Sequence, residues 1–180
     1  MPYGRLTDRQ RAVVRGVVTG KRVTDLGAGD FHLSQEMLWL GAVEVDAVDR
    51  NLPARAPRHV NRVESYFHDW RGVPEVAFVS WPVNWEVGLP AVLRRAPTVI
   101  YLGTNVGGTA CGDEHLWRYL TTSEVLVYEP DPSNTLIVYG PREVERLPVG
   151  EELAALDSAK LYTFEAAEAC GKQAPSGERR

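Results

Sequence analysis

Cysteine is nearly absent from this 180-residue chain: Cys111 and Cys170 are the only two. Neither has metal-ligand spacing to a partner, and two thiols make no disulfide framework, so Cys111 reads as a loop thiol and Cys170 as part of a tail. Histidine is sparse too, with four residues. His32, His59, His68 and His115 are scattered, none with metal-ligand spacing to another His or Cys, so no metal is expected. Long apolar runs are missing too. No stretch approaches the roughly 18 to 20 apolar residues of a membrane span, and the opening Met1-Pro-Tyr-Gly-Arg-Leu6 lacks the core of a signal peptide. A soluble cytoplasmic protein without a membrane partner is expected. There is no large excess of charge of either sign. A net charge of -4 argues against a domain whose main task is coating nucleic acid, although a local basic face is allowed. A paired-carboxylate, nucleophile-triad or metal constellation is also absent, which is awkward for a hydrolase, and no internal repeat is apparent.

What is present suits one globular domain with a sizeable core, over residues 1–150, followed by an acidic, alanine-rich segment 151–180. In that last part a helix is expected from Glu151 to Lys160, and disorder from Cys170 to Arg180. Thr7 to Val18 predicts a helix with Val13, Val14, Val17 and Val18 on one side and Arg9, Arg11 and Arg15 on the other. A strand from Arg22 to Leu26, a helix from Phe31 to Leu40 and a strand from Val43 to Val48, finishing at Asp49, then form a strand-helix-strand unit with a right-handed crossover. Further strands are expected at Val60–Phe67, Val76–Val79, Thr98–Leu102, Val125–Tyr128 and Thr135–Tyr139. The last two form a hairpin around Glu129 to Asn134, after a short helix at Glu114–Leu120.

The most informative stretch is Asp25-Leu-Gly-Ala-Gly-Asp-Phe-His32. Gly27 and Gly29 let the backbone approach a ligand closely, and the following helix turns its N-terminal amides toward it. A dinucleotide fingerprint would need a third glycine where His32 stands, so NAD is a weak fit. Asp49 ends the second strand, where one carboxylate can accept both hydroxyls of a ribose. Such a ribose belongs to NAD and to S-adenosylmethionine alike. A surface Asp capping the next turn is the plainer alternative.

Asp25-Leu-Gly-Ala-Gly resembles the first motif, acidic-x-Gly-x-Gly, of class I S-adenosylmethionine-dependent methyltransferases. The family often has a further glycine where this chain has Phe31. The resemblance covers about Val23 to Tyr139. It implies a Rossmann-like α/β fold, a single doubly wound sheet of seven strands in the order 3-2-1-4-5-7-6, mostly parallel with an antiparallel C-terminal hairpin. It also implies S-adenosylmethionine as cofactor, bound by Asp25, Gly27, Ala28, Gly29, Asp49, Arg50, Asp69, Trp70 and Ser80. In the family an acidic residue after the third strand accepts from the adenine amine. Asp69 matches it here, with Trp70 covering an adenine face or acting as a half-buried aromatic at a strand end.

Ser80-Trp-Pro-Val-Asn-Trp85 follows the fourth strand, where transferred chemistry is expected. It loosely resembles the Asp/Asn/Ser-Pro-Pro-aromatic motif of enzymes that methylate amino groups, with the first proline missing. The catalytic candidates are Ser80, Trp81, Pro82 and Asn84, with Trp81 or Trp85 as a substrate wall. The glycine-rich stretch Gly103 to Gly112 reads as a lid or as a plain connection. The acceptor stays open among a nucleobase amine, a protein side chain and a small molecule, and a homodimer is allowed. The competing expectation is a non-catalytic nucleoside-binding or interaction module.

Overall fold

A computed structural model describes residues 4–82, 88–104, 125–129 and 134–140, and the following concerns these. Helix α1 (Asp8–Val18) starts with a capping box in which Thr7 Oγ1 accepts from the Gln10 amide and the Gln10 side chain accepts from the Thr7 amide. Its valines follow the helical repeat onto one face, so Val14 and Val18 are buried. Helix α2 (His32–Trp39) lies between strands β1 (Arg22–Leu26) and β2 (Glu44–Asp49). Arg11 of α1 reaches the buried Glu36 of α2 at 2.6 Å, tying the two helices together.

Strands β3 (Val60–Glu64), β4 (Val76–Ser80) and β5 (Thr98–Gly103) extend the parallel sheet, and β6 (Val125–Glu129) and β7 (Thr135–Tyr139) close it. The order is β3-β2-β1-β4-β5-β7-β6, with β7 antiparallel to both of its neighbours. The seven strands, their order and the reversed last pair agree with the expectation from sequence. Strands β4, β5 and β7 are apolar almost throughout because they are covered on both faces. One core, with Val14, Met37, Phe78 and Leu102, lies under α1 and α2. The other, with Leu26, Val79, Val92 and Tyr101, lies under α3 (Leu89–Leu93).

Two local readings change. Strand β3 stops at Glu64 instead of Phe67, because the Tyr66 carbonyl accepts from the amides of Asp69 and Trp70, both at 3.1 Å, and curls the chain into a turn. Helix α3 is unanticipated. Five residues are too few for a periodic signal, and it starts behind Gly88 at φ 87 with a proline in its first turn. The helices expected at 114–120 and 151–160, the tail, Asn84, Trp85 and most of the glycine-rich stretch lie outside the described residues.

Candidate cofactor and acceptor site

Ligand chemistry in such a sheet belongs beyond the carboxyl ends of the strands, at the reversal between β1 and β4. On one side of that reversal stands Asp25, wholly buried on the α2 face of β1. Ser34 of α2, itself buried, donates its hydroxyl to Asp25 Oδ2 at 2.5 Å. Oδ1 is buried and has no hydrogen-bond partner. Desolvation pushes this carboxyl up to about 7, the Ser34 hydrogen bond opposes the rise, and the charges of Asp49 and Asp30 add to it.

The glycine turn follows at once. Gly27 (φ 85) and Gly29 (φ 51) occupy the left-handed region that side chains resist, and a Cβ placed on either would meet nothing within 4 Å. The chain therefore leaves open space beside both. Phe31 adopts φ 67 without glycine's freedom, and the burial of its ring in the core under α2 holds it there. That explains how the turn closes with a bulkier residue. Ala28 is buried within the turn and donates its amide to Val48 of β2 at 3.4 Å.

Asp49 is joined directly to this turn. One carboxylate oxygen accepts from the Gly29 amide at 3.1 Å and the other from Asn51 at 3.0 Å. Each oxygen keeps a second lone pair for a further donor. Arg50, beside it, is exposed. Asp30 turns its carboxylate back onto the His32 amide at 3.0 Å and so occupies one N-terminal donor of α2.

Asp69 and Trp70 come from the turn after β3. Asp69 is exposed and lies 3.4 Å from His68, which stacks on Tyr66 with centroids 5.3 Å apart. Trp70 is half-buried against the α3 core, with the Arg95 guanidinium 5.5 Å from its ring centroid and Gly72 packed closely on the indole. No hydrogen bond among the described residues links either one to the glycine turn.

Across the reversal, Ser80 is half-buried at the end of β4 and Pro82 is buried. Trp81 sits at φ 46, donates its amide to Leu102 at 2.7 Å and its indole N–H to Asn134 at 2.9 Å. Asn134 is itself buried. Its side-chain amide donates to the Arg5 carbonyl at 2.6 Å, and its own carbonyl accepts from the Gln10 side chain at 2.6 Å. Thr104, just past β5, has a buried hydroxyl without a partner. Ser34, Asn134 and Thr104 escape a reading by motif. Their sequence neighbours, Gln35 and Glu36 after Ser34, Ser133 and Thr135 beside Asn134, and Gly103 and Asn105 beside Thr104, are mostly polar and carry no local signal.

Solved structures share this architecture. The ribosomal protein L11 methylase of Lactobacillus delbrueckii subsp. bulgaricus superposes with a TM-score of 0.54 at 12% identity, over 77 to 78% of this chain in this and the next case. For that protein the match covers 81% of its own chain. A Pyrococcus horikoshii protein provisionally assigned as an RNA methyltransferase gives 0.53 at 14% identity, over 77% of this chain and 81% of its own. An S-adenosylmethionine-dependent methyltransferase of Mesorhizobium loti gives 0.52 at 11%, over 71% and 95%. This is the class I methyltransferase fold. No protein-family model matches the chain, and no curated protein matches it by sequence. Within the methyltransferase fold, the reversal lies between Asp25 with its glycine turn on β1 and Ser80 with Trp81 on β4. Among the described residues there is no cluster able to hold a metal ion and no helix long and apolar enough to cross a membrane.

Proposed function

We propose that the protein is an S-adenosylmethionine-dependent methyltransferase. The observation that carries this reading is the buried Asp25 carboxylate, one oxygen of which has no partner, beside a turn whose two glycines border open space. A buried acceptor without a donor is costly, so a ligand that brings a cationic donor fits it. The amino group of the cofactor's methionine part is such a donor. A pyrophosphate fits poorly. It would meet the carboxylates of Asp25, Asp30 and Asp49, and Asp30 already takes the His32 amide.

Asp49 is the ribose residue in this reading, with Ala28 and Arg50 flanking it. Asp69 supplies an acceptor for the adenine amine, and Trp70 stiffens the turn that carries it. When bound, S-adenosylmethionine supplies a methyl group already activated by its sulfonium. The protein therefore has to position the acceptor and exclude water, and it needs little acid-base chemistry. Ser80, Trp81, Pro82 and Asn84 fall to the acceptor side, with Ser80 also bordering the cofactor. An amino group of a nucleobase or protein side chain is the first candidate acceptor, and a small molecule the second.

Titration calorimetry with S-adenosylhomocysteine tests the cofactor, and label transfer from S-adenosylmethionine to defined RNA, protein and metabolite pools tests the reaction. Micromolar binding together with transfer supports the proposal. Absence of binding overturns it, and binding without transfer to any pool replaces it with a non-catalytic nucleoside-binding module.

A further inference from the structure

The hydrogen bond from Ser34 to Asp25 has a direction that matters for the ligand. Ser34 is on the third helical residue of α2, fully buried, and its hydroxyl at 2.5 Å takes Oδ2. That leaves Oδ1 as the oxygen that accepts from nothing, and the rotamer of Asp25 is fixed by a group that is itself immobilised in a helix. We propose that Ser34 is the positioning residue of the cofactor site, aiming Asp25 Oδ1 at a cationic ammonium and thereby selecting nucleosides that carry an amino acid over those that do not.

This rests on the cofactor reading above. Among the described residues, the charges that act on Asp25 are those of Asp49 and Asp30, and no cation competes for it. Asp49 on β2 and Asp30 in the turn add negative charge, and Glu36 on α2 is held by Arg11. The stretch of β4 paired with β1 is Val76 to Val79, which is uncharged. Because the Ser34 hydroxyl favours the charged carboxylate, its loss makes Asp25 harder to ionise. Binding of an ammonium-bearing ligand then shifts to higher pH.

The test is calorimetry of wild type, Ser34→Ala and Ser34→Thr with two probes, S-adenosylhomocysteine and 5′-methylthioadenosine, from pH 6 to 8.5. The second probe keeps the nucleoside and lacks the amino acid. Wild type should prefer S-adenosylhomocysteine, with a preference that grows with pH. Ser34→Ala should lose about tenfold of that preference and titrate at higher pH, while methylthioadenosine binding stays unchanged and Ser34→Thr restores both. Equal affinity for the two probes in wild type, or an unaltered ratio and pH midpoint in Ser34→Ala, overturns the role of Ser34 and leaves the nucleoside site standing. Failure of both probes to bind wild type instead overturns the cofactor reading itself. Should Ser34→Ala not fold, the wild-type ratio and the Ser34→Thr variant still decide.

Discussion

The indole of Trp81 donates to the side-chain oxygen of Asn134 at 2.9 Å, joining the residue after β4 to the residue before β7. An indole can only donate and a carbonyl can only accept, so the Asn134 amide, placed between Trp81 and the Arg5 carbonyl, has a single workable orientation. Neither Asp nor Ala can satisfy both neighbours. Asn134→Ala should cost about 2 to 3 kcal/mol in urea denaturation, and Asn134→Asp nearly as much at pH 8, where it faces the Arg5 carbonyl without a proton to give.

The glycine turn separates stability from binding. Gly27→Ala strains a left-handed residue, at about 1 to 2 kcal/mol, without any steric clash, since the new methyl enters open space. In the proposed function that space receives the cofactor. The expected result is a modest drop in melting temperature and a loss of S-adenosylhomocysteine affinity of roughly a hundredfold or more, measured on the same preparation.

Asp25 makes the protein's stability depend on pH in an unusual direction. Its folded-state value, about 7, is above the ordinary 3.8, so the native state holds a proton that the unfolded chain releases. Its contribution is therefore greatest below about pH 4 and is lost as pH rises to about 7, by up to about 4 kcal/mol. Asp25→Asn has no such titration. Denaturation series should show the variant and wild type close together at pH 4, with the variant the more stable at pH 8 and unable to bind S-adenosylhomocysteine.

Asp49→Asn should weaken both the turn and the ligand. One of the two backbone amides that Asp49 accepts, from Gly29 or Asn51, would face an NH2 group. Affinity for S-adenosylhomocysteine and for methylthioadenosine should fall together, by ten- to a hundredfold, because both carry the ribose. An equal affinity in variant and wild type would remove Asp49 from the site.

The crossover was legible because its signals are local: apolar runs, glycines where φ is positive, and acidic residues at strand ends. Strand order followed from the family resemblance carried by those residues. The end of β3 was misjudged because Tyr66 and Phe67 look like strand residues, yet a carbonyl shared by two amides decides the turn. Ser34 and Asn134 were out of reach for another reason. Their roles depend on partners 9 and 53 positions away, Asp25 and Trp81, which only the packed chain brings together. Phe31 was legible as a departure, but its buried ring and left-handed backbone had to be seen to explain it.

Strand β7 lies between β5 and β6 although it is made after both. While the ribosome is adding residues up to Tyr139, the whole hydrogen-bonding edge of β5 stays open, flanked by apolar side chains. Strand β6 has no place to dock until β7 arrives. Asn134, at the head of that late strand, also fastens Arg5 near the beginning of the chain. Nascent protein is thus most exposed to edge-to-edge association in the interval before β7 is synthesised, and the contact between Trp81 after β4 and Asn134 forms only with that strand.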